Sequence, residues 1–71
     1  MIPPIRQEML AKLARLCELA PDVRMGQLVA HLGFLAEDRC DRTLWDVEDQ
    51  DLLAVIEQHL VELSKRQEHV A

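Results

Sequence analysis

Apolar residues return at three- and four-residue spacings along three separate stretches of this chain, a periodicity typical of amphipathic α-helices. The first stretch predicts a helix over about residues 4–19. Pro3 and Pro4 suit a first helical turn, and Pro21 disfavours helical backbone in the residue before it. The predicted apolar face of this helix consists of Ile5, Met9, Leu10, Leu13, Leu16 and Cys17.

The second stretch predicts a helix over about residues 22–37, with Asp22 placed to cap its free N–H groups. We expect this helix to be the central one and to lie in the middle of the packing. Its predicted core face consists of Met25, Leu28, Val29, Leu32 and Ala36.

The second predicted helix also carries a second apolar stripe. At about 100° per residue, Phe34 falls opposite the core face, on a stripe shared with Val23 and Ala30. Gly26 and Gly33 lie beside that stripe, and a glycine inside a helix costs about 1 kcal/mol relative to alanine. Close approach of another helix would compensate for this cost, and that helix could belong either to the same chain or to a partner. These five residues are the predicted protein interface.

The third stretch predicts a helix over about residues 47–66, with Asp46 as its cap and a tail at residues 67–71 that frays. Leu44 and Trp45 are expected to fold back onto the helices, since a lone tryptophan is worth burying. The buried stripe of this helix is predicted to be Leu52, Leu53, Ile56, Leu60 and Leu63. Together the three stretches predict one all-α, compact three-helix domain over residues 1–71.

Chain length and composition limit the class of protein. A domain of 71 residues buries only about 60% of the surface that its unfolded chain exposes, so its core is marginal and self-association would add to it. The chain is 49% hydrophobic and 30% charged, which is too apolar for disorder and too interrupted for a membrane span. The first residues lack the pattern of a secretory signal. We expect a cytoplasmic protein with no membrane partner.

Acidic residues are concentrated in one segment. Residues 37–51 contain seven acidic residues against two arginines, a local balance of −5 that equals the net charge of the chain. Such a segment repels phosphate groups and could steer a basic protein partner. Helix capping and a solvated face explain the same residues without any function. The predicted acidic patch consists of Asp38, Asp41, Glu48, Asp49 and Asp51.

The residue types that catalysis and metal binding need are scarce. The chain has one serine, one threonine, no tyrosine and no asparagine, so the usual nucleophiles and oxyanion donors are nearly absent. Cys17 and Cys40 are expected to be free thiols, and the histidines are not spaced as zinc ligands. The acidic residues lack the glycine of a calcium loop. The sequence predicts neither an enzyme nor a metal or cofactor site.

Two segments resemble a known set of proteins. Residues 21–28 read P-D-V-R-M-G-Q-L, and residues 45–49 read W-D-V-E-D. They resemble a set of short bacterial proteins, without an established function, that have a P-D-x-R-x-G-Q-L segment and a later aromatic-x-x-E-D segment. The resemblance covers roughly residues 19–60 and implies a bacterial source and a stand-alone small protein. It also implies that Asp22, Arg24, Gly26 and Gln27 form one unit, with a cap, polar surface residues and a glycine open to close approach.

These observations favour a small, non-catalytic protein-interaction module that forms a homodimer, with the acidic segment tuning partner choice. A dimeric helix-turn-helix DNA-binding regulator is the alternative, since three helices with a tight first joint can form that motif. The acidic balance makes nucleic acid an unlikely partner. A further alternative is an adaptor or inhibitor of a larger protein.

Overall fold

In the computed structural model, the described residues form three α-helices: α1 (Pro4–Leu19), α2 (Met25–Cys40) and α3 (Asp49–His69). The structure describes the backbone of residues 1–69 and the side chains of residues 1–66. The predicted all-α, three-helix domain is confirmed. The tail that the sequence predicts to fray begins at residue 67, but α3 continues through His69, and residues 70–71 lie outside the described residues.

The bounds of α1 agree with the prediction. Pro4 is its first residue, and the helix ends where the Ala20 N–H donates a hydrogen bond to the Leu16 carbonyl. The backbone of Pro3 is extended and its carbonyl accepts from the N–H groups of Arg6 and Gln7. The two prolines therefore start this helix without leaving a helical hydrogen bond unmade.

Helix α2 begins and ends three residues later than predicted. The Val23 N–H donates to the Ala20 carbonyl at 3.2 Å, so the residues after Pro21 form a turn instead of a first helical turn. The cap position belongs to Arg24, whose backbone N–H donates to Oε1 of Gln27 at 3.0 Å. The prediction that Asp22 caps α2 is therefore wrong, because Gln27 reaches back from inside the helix to the backbone of Arg24.

A turn at residues 44–46 delays the start of α3. The N–H groups of Asp46 and Val47 both donate to the Thr43 carbonyl, and the Thr43 hydroxyl donates to Oδ2 of Asp46 at 3.3 Å. Helix α3 starts at Asp49, two residues later than predicted. Asp46 belongs to the turn and does not cap this helix.

The helix that packs against both others is α3, and the contact between α1 and α2 is marginal. The prediction that the second helix occupies the middle of the packing is therefore wrong. Val55 and Ile56 of α3 are adjacent in sequence and both buried, so α3 presents one apolar seam to each neighbour. The fully buried core consists of Leu16, Leu28, Leu32, Ala36, Val55 and Ile56.

Several predicted core residues of α1 and α2 are exposed. On α2, Leu28, Leu32 and Ala36 are buried as predicted, whereas Met25 and Val29 lie at the surface. The two exposed side chains lie on the flank of α2 that α1 would cover in a closed bundle. Because α1 and α2 barely touch, that flank stays open to solvent.

Ion pairs on the surface join α1 to α3. Lys12 Nζ lies 2.9 Å from Oε2 of Glu57 and 3.1 Å from Oε1 of Glu8, the pair expected from their i,i+4 spacing. Arg6 Nε lies 3.1 Å from Oδ2 of Asp49. The hydrogen bonds to Glu57 and then Glu8 raise the pKa of the Lys12 ammonium above its ordinary value. These exposed pairs align the two helices and add little stability.

Of the described residues, no helix combines the length and the apolar character that crossing a bilayer requires.

Leu16 and Leu10 offer a matched test of where the core lies. Leu16 is 0% exposed and Leu10 is 53% exposed, and both belong to α1. We expect Leu16→Ala to lower the free energy of unfolding by about 2–5 kcal/mol, because it leaves a cavity between the helices. Leu10→Ala should cost less than about 1 kcal/mol. Chemical denaturation followed by circular dichroism measures both, and equal losses would contradict this core.

Candidate protein-interaction surface

The outer face of α2 consists of Gly26, Ala30 and Phe34, which are spaced four residues apart and point away from the buried face of the helix. All three are exposed, and Phe34 keeps 68% of its surface accessible. A large apolar side chain in this position adds nothing to the core of the single chain. The predicted interface residues Gly26, Ala30 and Phe34 therefore lie together on one free surface.

Gly26 leaves an open space on this face. A Cβ at this position would meet no atom within 4 Å. The backbone conformation of this glycine is ordinary for a helix, since no glycine has a positive φ. Nothing within the described part of the chain requires glycine here. The backbone at Gly26 is accessible to any molecule that packs on the outer face.

Gly33 is covered from within the chain. A Cβ on Gly33 would lie 3.6 Å from Cβ of Leu44, in ordinary van der Waals contact. Leu44 belongs to the turn before α3. A side chain from this turn therefore covers Gly33, where the sequence predicts a helix of the same chain or of a partner. Of the predicted interface residues, Gly33 is thus half-buried and stands apart from the outer face.

Trp45 is 94% exposed, and the prediction that it folds back onto the helices is wrong. Leu44 makes that contact instead, and the tight turn at residues 44–46 directs the next side chain into solvent. Leu44 packs on Gly33. Phe34 follows Gly33 in sequence and Trp45 follows Leu44, so both aromatic residues lie next to this contact. The one phenylalanine and the one tryptophan of the chain are both on the surface.

Val23 lies apart from the outer face. It precedes the first residue of α2, so the helical spacing that joined it to Ala30 and Phe34 does not apply. Its side chain lines a hollow of about 280 Å³ together with His31 and His59. The prediction that Val23 shares a stripe with Phe34 is wrong for this reason.

A second apolar surface is the groove between α1 and α2. It has a volume of about 290 Å³ and is a direct consequence of the marginal contact between these two helices. Leu10 and Leu13 of α1 form one wall, Val29 forms the other, and Ile56 of α3 contributes to the floor. Leu44 closes one end of the groove, close to where it packs on Gly33.

The predicted acidic patch is divided by the fold. Asp49 is tied to Arg6 of α1, and Asp41 has a left-handed backbone with φ 55° at the end of α2. Asp38 is exposed one turn after Phe34, next to the exposed Glu37. Two further members of the patch, Glu48 and Asp51, are exposed near the start of α3. The acidic residues closest to the outer face are therefore those at the carboxyl end of α2.

Among the polar residues of the P-D-x-R-x-G-Q-L segment, Asp22 does not act as the predicted cap, whereas Arg24 and Gln27 lie at the surface. Gln27 provides the backbone contact expected of Asp22, and Asp22 and Arg24 are exposed. The predicted unit thus divides into a cap formed by Gln27 and an exposed pair before the helix. Arg24 places a positive charge at the amino end of α2, at the opposite end from Glu37 and Asp38.

His59 is a buried titratable residue that the sequence analysis did not single out. It is 7% exposed, its ring centroid lies 4.6 Å from that of His31, and its Nδ1 lies 3.8 Å from Oε2 of Glu62. Burial lowers the pKa of the His59 imidazole below its ordinary value, and His31 lowers it further. Glu62 opposes the shift and Arg66 adds to it weakly. The apolar stripe of α3 could have indicated this position, since His59 follows Ile56 by three residues and precedes Leu63 by four.

The cysteines and the described histidines are spread over the three helices. Among the described residues, no three His, Cys, Asp or Glu side chains come close enough together to hold a metal ion. Cys17 and Cys40 are half-buried free thiols.

No protein-family model matches the chain, and no curated protein or solved structure is significantly similar to it.

The buried imidazole predicts a pH dependence of stability. The folded-state pKa of His59 lies below the ordinary value of 6.5, so the unfolded chain binds more protons between those two values. The free energy of unfolding should therefore fall as the pH drops below about 6.5. Denaturation at about pH 7.5 and pH 5.5 measures this fall.

Two variants isolate the contribution of His59. His59→Gln should remove most of the pH dependence in this window, and His31→Gln should reduce it partly, because the neighbouring imidazole is one cause of the shift. An unchanged pH slope in His59→Gln would assign the dependence to other groups.

Proposed function

We propose that this protein is a small, non-catalytic interaction module that associates with a second copy of itself through the outer face of α2. The observation that carries the proposal is the placement of both aromatic residues. Phe34 and Trp45 are exposed, while the buried core is entirely aliphatic. Aromatic residues are enriched at the centres of protein interfaces, where they contribute much of the binding free energy.

The size of the chain supports the same proposal. A short domain gains little from its own core, and a large apolar side chain left in solvent contributes nothing to folding. Exposed apolar patches of this kind on small domains mark sites of association. Leu10, Val29 and Leu44 extend the exposed apolar surface from the outer face of α2 towards α1.

Charge around the surface favours a protein partner over nucleic acid. Asp38 and Glu37 lie within one turn of Phe34, and Asp46 follows Trp45 directly. A duplex would bring its phosphates close to these carboxylates, which costs electrostatic free energy. In this proposal the acidic segment repels anionic molecules and so limits which partners can reach the aromatic residues.

Phe34→Glu tests the proposal directly. We expect the variant to be a monomer with an unchanged helical circular-dichroism signal, because Phe34 is exposed within one chain and a buried charge opposes association. Light scattering after size-exclusion chromatography, across a range of concentrations, measures the molar mass of wild type and variant.

Val61→Glu is the matched control, since Val61 is also exposed but lies on α3. It should leave the dimer intact. A wild-type protein that remains a monomer at every concentration would contradict the proposal, and so would a Phe34→Glu variant that remains a dimer.

A further inference from the structure

We propose that two copies pack α2 against α2 in antiparallel orientation, about a two-fold axis that passes close to Ala30. This inference rests on the self-association proposed above and specifies its geometry. Cyclic dimers are the commonest assemblies of a single chain, and a two-fold axis brings the same surface of both copies together. Ala30 is exposed at the middle of the outer face, with Gly26 one turn before it and Phe34 one turn after it.

The two-fold axis brings complementary shapes into contact. In an antiparallel pair centred on Ala30, the residue four positions after the axis faces the residue four positions before it on the other helix. Phe34 of each copy therefore lies over Gly26 of the other. Gly26 offers open space where a side chain would otherwise project, and Phe34 supplies a large apolar side chain with no cover in its own chain. The contact occurs twice, as a knob that enters a hole in each direction.

Charge selects the antiparallel orientation over the parallel one. The amino end of α2 carries the exposed Arg24 and Asp22, whose charges cancel, together with the positive end of the helix dipole. Its carboxyl end carries the exposed Glu37 and Asp38 against a single Arg39 and is therefore net negative. The antiparallel pair brings these carboxylates to the amino end of the other helix, where negative charge is favourable. A parallel pair would place Glu37 and Asp38 of both copies side by side.

Distance keeps the two acidic ends apart in this arrangement. A helix of 16 residues is about 24 Å long. The Glu37 and Asp38 carboxylates of the two copies therefore lie at opposite ends of the contact, well beyond the screening length of about 8 Å at physiological salt. At each end they face Asp22 and Arg24 of the other copy.

A dimer contact of this kind has a minimum size. A specific interface requires about 1,000 Å² in total, or about 500 Å² from each copy. That is roughly a tenth of the 5364 Å² surface of one chain. Phe34 and the backbone around Gly26 lie on the outer face that this contact would cover.

A cysteine at the two-fold axis tests the geometry. Ala30→Cys, in a background with Cys17→Ala and Cys40→Ala, places the thiols of the two copies next to each other. We expect rapid formation of a disulfide-linked dimer under mild oxidation, since only a residue near the axis meets its own copy. Ala14→Cys in the same background is the matched control, because Ala14 is an exposed alanine on α1. It should form linked dimers far more slowly.

A charge exchange tests the orientation. Arg24→Glu should raise the dissociation constant of the dimer at least about tenfold, because it adds like charge beside Glu37 and Asp38 of the other copy at both ends of the contact. Arg24→Glu combined with Asp38→Arg should recover most of the loss. The circular-dichroism signal of each variant verifies the fold.

The outcomes separate this inference from the function on which it rests. Rapid cross-linking at Ala30 with slow cross-linking at Ala14, together with recovery in the charge exchange, supports the antiparallel pair. A wild-type dimer with no preferential cross-link at Ala30, or with no recovery, overturns the geometry and leaves self-association standing. A wild-type protein that is monomeric at all concentrations overturns both.

Discussion

The packing of α3 against both other helices is the constraint from which the rest of the structure follows. Helix α3 contacts both α1 and α2, and its consecutive residues Val55 and Ile56 are both buried. Helices α1 and α2 are held by α3 and contact each other only marginally. Helix α2 therefore has one neighbour where a helix in a closed bundle has two, and the exposure of Met25 and Val29 is a consequence of that missing contact.

The division between an aliphatic core and aromatic residues on the surface has an energetic meaning. Phenylalanine and tryptophan can each bury about 150–250 Å², more than any residue in this core. A domain of 71 residues with a marginal core would gain most by burying them. Phe34 and Trp45 are instead held in solvent by the face of α2 and by a tight turn. This placement is understandable if another surface covers them after folding is complete.

Prolines and capping residues determined which helix bounds could be predicted from the sequence. Helix α1 was predicted with its correct bounds, because its start depends only on prolines within it and next to it. Pro21 stops α1, but the turn after it and the cap from Gln27 compete with a helix start at Asp22, so α2 begins later. The helical period alone placed Phe34 with Gly26 and Ala30. The burial of Val55 and the exposure of Trp45 depend on contacts between distant segments, which no local pattern specifies.

The exposed indole has a spectroscopic consequence. Tryptophan emission reports on the polarity around the ring, and Trp45 is the only tryptophan in the chain. With 94% of its surface in water in the folded state, the ring meets nearly the same solvent before and after the helices melt. Its fluorescence is thus almost silent during unfolding and is free to record the arrival of a molecule beside the turn. The chain carries, on an almost fully exposed side chain, a native optical reporter of contact with its surroundings.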